Sequence, residues 1–261
     1  MNEEIKGHPH PMTLLIDKIC RIFGEMGFDV VDGPELEREW YNFEALNVPK
    51  DHPARDLHDT FFLKLAEDKH EGKAILRSHT SNVQIRYLTE TMNQIKSGQK
   101  LEAKVFPLAI CVPGKVFRNE ATDATHEAEF YQLEGLLLGE NISLANLKGV
   151  IERFYSGLFG KEIKVRFRSS FFPFVEPGME VDIQCFKCDG SGCNLCKKVG
   201  WIEVGGAGMI HPKVLKNCGL DSTKYAGFAF GFGLDRILLL KYGLNDIRSL
   251  YSGDLRVVNQ F

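Results

Sequence analysis

The sequence lacks any run of about 18 uninterrupted apolar residues, so nothing in its 261 positions reads as a membrane span. Its first residues, Met1-Asn2-Glu3-Glu4-Ile5-Lys6-Gly7, are polar and acidic and do not resemble a secretory leader, so the cytoplasm is the expected compartment. A basic excess is also missing. Against 35 acidic side chains stand 32 basic ones, a net charge of −3, which argues against a protein that coats nucleic acid nonspecifically. A local basic groove, or nucleic acid held mainly by a partner subunit, remains compatible with that balance. Internal repeats, low-complexity runs and obvious linkers are absent. With 44% hydrophobic and 26% charged residues, the chain is not a disordered tail, a collagen-like repeat or a coiled-coil rod. Length alone allows one large domain or two small ones, and the missing linker favours one domain over residues 1–261.

Apolar residues at helical spacing predict a first helix from Met12 to Met26, ended by Gly27, and then a short strand, Phe28–Val31. Pro49, His52, Pro53, Arg55 and His58 mark a long ordered loop over 47–60. A second helix is predicted from Asn82 to Ile95 with Ser81 as its cap. Extended segments follow at Val105–Val112, Lys115–Asn119 and Phe130–Leu138, with Pro113-Gly114 separating the first two. Ser143 is placed to cap a helix whose Leu144, Leu147, Ile151, Phe154 and Leu158 share one face before Gly160. Further strands are predicted at Lys164–Phe174, Glu180–Cys185 and Trp201–Val204, and a last helix at Leu234–Lys241. This pattern implies an α+β fold, a mostly antiparallel sheet flanked by helices.

Three blocks carry chemistry. In Phe117-Arg118-Asn119-Glu120 a strand delivers a guanidinium and, two residues on, a carboxylate to one face. His126 lies in the loop that follows, and the returning strand brings Phe130, Gln132 and Glu134 to one side. Arginine forks onto phosphate oxygens, and a flat phenylalanine stacks on a base; taken alone, the block reads equally as a surface hairpin. The second block is Gly227-Phe228-Ala229-Phe230-Gly231-Phe232-Gly233-Leu234-Asp235-Arg236, a strand slim enough to lie against a ligand before turning into a helix. Arg236 falls in the first helical turn, where the dipole disfavours a cation unless an anion is near. The third block, Gly27-Phe28-x5-Pro34, joins a helix to a strand. No nucleophile or triad is better supported anywhere in the chain.

In this order the blocks resemble the three signature motifs of class II aminoacyl-tRNA synthetases. His8-Pro9-His10-Pro11, Asn42-Phe43-x-Ala45-Leu46-Asn47, His52-Pro53-Ala54-Arg55, His79-Thr80-Ser81, Thr122-Asp123-Ala124-Thr125-His126-Glu127, Gln132-Leu133-Glu134-Gly135, Asn146-Leu147-Lys148-Gly149, Phe172-Pro173-Phe174-Val175-Glu176-Pro177 and Asp246-Ile247-Arg248 are similar to the bacterial phenylalanyl-tRNA synthetase α-subunit family. The likeness runs from about Gly7 to Phe261. It implies an antiparallel sheet as active-site floor and a two-step reaction: ATP and phenylalanine give phenylalanyl-adenylate, and the acyl group then passes to the 2′-hydroxyl of the terminal adenosine of tRNA-Phe.

The resemblance also implies roles. Arg118 would hold the α-phosphate, Glu120 the adenine amino group, and Phe130 the adenine face. Arg236 and His126 would grip the outer phosphates, with Mg²⁺ between phosphate oxygens. His79, Ser81, Gln132 and Glu134 would surround the polar end of the amino acid. Phe172 and Phe174 would sandwich its ring, with Val175 and Ala229 closing the pocket. A β subunit in an α2β2 assembly, with the first helix at a subunit interface, is implied as well, as is an N-terminal helical arm for tRNA that this sequence does not include. The rival readings are a paralogue activating another amino acid and a noncatalytic regulatory subunit that keeps the fold.

Seven cysteines occur, four of them in Cys185-x2-Cys188-x4-Cys193-x2-Cys196. Paired thiolates at two-residue gaps, joined by the flexible Asp189-Gly190-Ser191-Gly192, suit tetrahedral Zn²⁺, with a redox or iron–sulfur role as the alternative. Four filled positions make such a zinc structural rather than catalytic. Because the family joins two strands here by a short turn, residues 185–196 read as an inserted hairpin tip stapled by metal. Cys20, Cys111 and Cys218 are scattered and read as buried small hydrophobes.

Overall fold

A computed structural model describes residues 7–56, 59–99, 105–124 and 126–261. The polar start Met1–Lys6, His58 and Thr125 lie outside the described residues. The first helix, α1 (Pro11–Glu25), buries Met12, Leu15, Ile19 and Phe23 along one stripe, and Gly27 turns the chain with φ of 83°. Two residues of strand follow, β1 (Asp29–Val30), then β2 (Leu36–Arg38) and the single turn α2 (Glu39–Asn42). The expected loop over 47–60 follows one short 3-10 turn, Glu44–Leu46, and contains another, Pro53–Arg55. Strand β3 (Ala74–Leu76) pairs with β2 as a separate two-stranded ribbon and leads into α3 (Ser81–Lys96).

Ser81 is not the cap of α3. Thr80 takes that position without a side-chain bond, and the Ser81 hydroxyl is drawn instead to the Glu134 carboxylate. The next correction concerns Pro113-Gly114, which does not divide a strand. β4 (Leu108–Phe117) is continuous and pairs residue by residue with β5 (Glu129–Gly139), Pro113 facing Leu133 and Gly114 facing Gln132. On its other edge β4 pairs with β1, in parallel at Ile110 and Cys111, and among the described residues no strand pairs there at Pro113, so the N–H that proline lacks is not missed. Gly114 is required by a close approach: a Cβ there would stand 2.6 Å from the Arg77 guanidinium. Arg77, only 2% exposed, is pinned by donating to the Lys115 and Gly33 carbonyls at 2.7 and 2.9 Å.

Helix α4 (Leu144–Phe159) begins with Ser143 and Asn146 in a reciprocal capping box and ends on Gly160 in the left-handed region, as its sequence predicts. Strand β6 (Val165–Phe172) is shorter than the expected Lys164–Phe174, whereas β7 (Val175–Gln184) and β8 (Trp201–Ile210) run longer than expected because they continue through glycines that pair across the ladder. A short helix, α5 (Pro212–Asn217), precedes β9 (Ala226–Gly233) and α6 (Leu234–Tyr242). The predicted last helix is followed by a 3-10 turn, Ile247–Leu250, and by α7 (Leu255–Val258). The main sheet has the order β1-β4-β5-β9-β8-β7-β6, antiparallel except for β1 against β4. The expected α+β class and flanked antiparallel sheet are therefore observed.

β9 builds both faces of this sheet by alternation. Phe228, Phe230 and Phe232 point to the face covered by α1, α4 and α6, where Phe230 stacks on Phe23 at 5.6 Å and Phe232 on Phe154 at 5.9 Å. Each such burial removes apolar surface worth about 1.5–3 kcal/mol. Ala229, Gly231 and Gly233, the small residues between them, leave space on the opposite face. The Phe230 ring lies directly on Gly135 of β5, and a Cβ at residue 135 would fall 2.2 Å from it. Gly135→Ala is therefore expected to cost about 1–3 kcal/mol of stability, measured as a lowered urea midpoint with unchanged slope; an unaltered midpoint would show that the ring is free to shift.

Candidate active site and metal cluster

On the face opposite the phenylalanine stack lies a cavity of about 560 Å³, floored by β5, β8 and β9 and walled by α3. Glu134, His79 and Gln132 are among its polar lining groups. Glu134, 6% exposed, accepts from the Thr80 N–H at 3.2 Å and from the Ser81 hydroxyl, and burial pushes its carboxyl up to about 7. His79 donates from Nε2 to the Asn42 carbonyl at 2.9 Å, which fixes the tautomer and makes Nδ1 an acceptor. That Nδ1 is buried without a partner, and burial lowers the ring to about 4, so the imidazole is neutral near pH 7. Gln132 Oε1 is a second buried acceptor with no partner. A neutral imidazole nitrogen, an amide oxygen and a carboxylate held in one cavity wall form a receptor for a compact cation with several N–H donors.

Phe172, Phe174, Val175 and Ala229 line the same cavity. The expected sandwich of Phe172 and Phe174 around a third ring is not present. Their centroids are 5.9 Å apart with 19° between planes, the spacing of two rings in mutual contact. A ring inserted between them would need two stacking distances, so the pair forms one wall of the cavity.

Arg118 and Glu120 also line the cavity, just past the end of β4 rather than within it, with guanidinium and carboxylate 3.9 Å apart. The Arg118 guanidinium lies 5.0 Å from the centroid of the Phe130 ring. Three expected residues stand outside the lining: Phe130, His126 and Arg236. His126 is exposed and holds Asp123 through Nδ1 at 3.0 Å. Arg236 is exposed in the first turn of α6, although Gly233 just before it lines the cavity. The backbone nevertheless brings both arginine-bearing segments to one end of β5. Phe117 pairs with Glu129 on one side, and on the other the Tyr131 N–H donates to Asp235 at 2.6 Å.

Sequence reasoning missed Gln84 and Asp59, which also line the cavity. The Gln84 amide nitrogen is buried without a partner. The signal was available: Gln84 lies one turn beyond Ser81 on the face of α3 that also carries Ile85 and Leu88, where a polar residue has no bland reason to be.

The four cysteines occupy the tip between β7 and β8 and gather as expected, their sulfurs all within 4.8 Å of one another. The Cys185–Cys193, Cys188–Cys196 and Cys193–Cys196 separations are 3.7, 3.8 and 3.8 Å. A tetrahedral ion with metal–sulfur bonds of about 2.3 Å has edges of about 3.8 Å, so the donor set fits a metal. Backbone N–H groups of Cys193 and Gly200 donate to the Cys196 sulfur at 3.1 and 3.2 Å and pull its thiol down to about 6. The tip also has more core than its sequence suggests. Phe186 stacks on Phe159 at the end of α4 at 4.2 Å, and Lys161 donates to the Phe186 carbonyl. Cys111 and Cys218 are buried, and Cys20 is half-buried.

Fold and cavity together define a class. The chain belongs to the family of tRNA synthetases described as the class II core domain (F), which matches residues 1–261. Among curated relatives, the phenylalanine–tRNA ligase alpha subunit of Streptococcus agalactiae serotype Ia is 51% identical over 255 residues, 98% of this chain and 69% of the relative. The protein of that name from Streptococcus pyogenes serotype M49 is 49% identical with the same coverage. Among solved structures, a pyrrolysyl-tRNA synthetase from Desulfitobacterium hafniense matches 95% of this chain and 74% of its own with a TM-score of 0.64 at 20% identity, a likeness of fold. No helix among the described residues is long and apolar enough to cross a membrane.

Protein isolated under reducing conditions is expected to carry about one tetrahedral metal ion per chain by elemental analysis. Cys196→Ser is expected to lose most of that metal and to lower the thermal midpoint; metal-free protein with an undiminished midpoint would contradict the assignment.

Proposed function

We propose that this chain is the catalytic subunit of a phenylalanine–tRNA ligase. It joins phenylalanine to ATP and passes the acyl group to the 2′-hydroxyl of the terminal adenosine of tRNA-Phe. The carrying observation is a single cavity lined both by unfilled acceptors and by the Phe172–Phe174 wall, together with relatives of that name at about half identity. An amino acid with an aromatic side chain satisfies both features.

In this reading the α-ammonium donates to His79 Nδ1, Gln132 Oε1 and Glu134, with Ser81 holding the Glu134 carboxylate in place. Gln84 offers its amide N–H to the substrate carboxylate. The phenyl ring lies along Phe172 and Phe174, with Val175 at the side and Ala229 limiting depth. Adenine stacks on Phe130 and presents its amino group to Glu120. Because Arg118 rests over Phe130, adenine stacking displaces the guanidinium toward the α-phosphate, where negative charge accumulates. Arg236 and His126 reach the outer phosphates from the rim. A carboxylate oxygen of phenylalanine attacks the α-phosphorus, the bond to the β-phosphate oxygen breaks, and pyrophosphate leaves. The 2′-hydroxyl then attacks the adenylate carbonyl and AMP departs. Both steps need alignment and charge neutralisation more than proton transfer. Asp59, whose carbonyl accepts the Asn119 N–H beside Arg118, is a hard oxygen donor that would suit the Mg²⁺ of Mg-ATP, which would supply neutralisation of phosphate charge. A β subunit in an α2β2 assembly completes the enzyme, the cytoplasm is its compartment, and Zn²⁺ at the four cysteines staples the hairpin tip.

ATP–pyrophosphate exchange with a panel of amino acids, in the presence of the β subunit, tests the reading. Exchange should depend on phenylalanine, and Arg118→Ala should lower it by about a hundredfold or more. Exchange driven by a different amino acid, or none at all, would assign the chain to a paralogue or a regulatory subunit.

The raised Glu134 carboxyl gives a pH dependence with a definite sign. The carboxylate form binds ammonium, so the KM for phenylalanine should rise as pH falls below about 7, by roughly tenfold per unit. Glu134→Gln should make that KM high and flat over the same range. A profile that does not change between wild type and variant would remove Glu134 from ammonium binding.

A further inference from the structure

The loop joining β4 to β5 carries Glu120 and His126, and the first turn of α6 carries Arg236. Neither His126 nor Arg236 is among the residues lining the cavity. The segment Asp246–Tyr251, whose only notice in the sequence is a short matching motif, touches both of their elements. At one end the Ile247 N–H donates to the Ala124 carbonyl of the loop at 3.0 Å. At the other the Tyr251 hydroxyl donates to Asp235, the residue before Arg236, whose other oxygen accepts the Tyr131 N–H. Asp235 is 2% exposed, so this carboxylate is fully committed to tying strand, helix and segment together.

The segment is itself rigidly made. Asp246 caps its 3-10 turn by accepting the Arg248 N–H at 3.0 Å and holds the Arg248 guanidinium at 2.6 Å. Ile247 and Leu250 are buried in the helix-side core at 4% and 6% exposure. From the N-terminal side, His10 accepts the Met12 N–H on Nδ1 and donates from Nε2 to the Leu250 carbonyl at 2.9 Å. The three attachments reach the 119–128 loop, the first turn of α6 and the residue preceding α1.

We propose that Asp246–Tyr251 is a positioning strap that fixes the 119–128 loop against the first turn of α6, so that Tyr251 and Asp246 set the geometry of the nucleotide end of the site without touching substrate. The inference rests on the ligase reading for its kinetic consequence but not for its structural one. The amino-acid end, held by α3 and the sheet, makes none of these contacts, so loosening the strap affects ATP and spares phenylalanine.

Two variants test this. Tyr251→Phe deletes only the hydroxyl, and Asp246→Ala removes the cap that presents the Ile247 N–H, whereas Asp246→Asn keeps a capping oxygen. In pyrophosphate exchange by the full chain with its β subunit, Tyr251→Phe and Asp246→Ala should raise the KM for ATP about fivefold or more and leave that for phenylalanine within about twofold. Asp246→Asn should restore most of the ATP affinity. Amide hydrogen exchange supplies the readout that is independent of the reaction: the 119–128 peptide should exchange faster in both loosened variants, while β7 and β8 stay as in wild type. Equal changes in both KM values, no change in either, or unaltered exchange of the loop would overturn the strap. Wild-type protein without phenylalanine-dependent exchange would instead overturn the ligase reading, and the loop exchange would then decide the strap alone.

Discussion

A carboxylate buried in the middle of a sheet is the constraint around which this molecule is arranged. Glu134 is 6% exposed, and an unpaired charge so far from water is expensive even with the Arg118 and Arg77 guanidiniums acting on it. Two donors from the start of α3, the Thr80 N–H and the Ser81 hydroxyl, partly offset that cost and in doing so fasten the helix to the sheet. The same bonds take Ser81 away from capping. What they do not supply is a cation. With His79 neutral and its Nδ1 unpaired by protein groups, and with the Gln132 oxygen likewise, the cavity presents acceptors that an ammonium-bearing ligand can fill.

The space for that ligand comes from side-chain size rather than from any groove between domains. Along β9 large and small residues alternate, and the pleat sends the phenylalanines into the helix-side core and the alanine and glycines to the cavity. The Phe172–Phe174 wall then closes one side. The nucleotide end is built differently. It lies at the open end of β5, where a loop and a helix start converge and where hydrogen bonds from the C-terminal segment substitute for a packed core. A closed half and an open half suit a small amino acid that must be enclosed and a triphosphate whose pyrophosphate must leave.

Much of this was legible in the sequence, for identifiable reasons. Helices α1 and α4 declare themselves through unbroken periodicity and end on Gly27 and Gly160, which the turns need. Gln132, Glu134 and Ala229 were legible as cavity residues because each sits at a strand position whose facing is set by the two-residue period. Pro113-Gly114 misled because a strand with one open edge tolerates proline, and because the glycine answers to Arg77, distant in sequence. Aromatic spacing in Phe172-Pro173-Phe174 could not tell a sandwich from a wall, since that depends on how the β6–β7 corner turns. Gln84 went unnoticed because a polar residue in a helix reads as surface until the partner face is known. The positions of His126 and Arg236 outside the closed cavity depend on the loop and strap, which no local pattern encodes.

The central claim is that the unfilled acceptors recognise an ammonium group beside an aromatic ring. Calorimetric titration of the ATP-free enzyme with phenylalanine and with 3-phenylpropionate, which keeps ring and carboxylate but lacks the amine, tests it most directly. The account requires the loss of the amine to weaken binding by about a hundredfold or more, since buried acceptors would be left unpaired. Comparable affinities for the two compounds would contradict it.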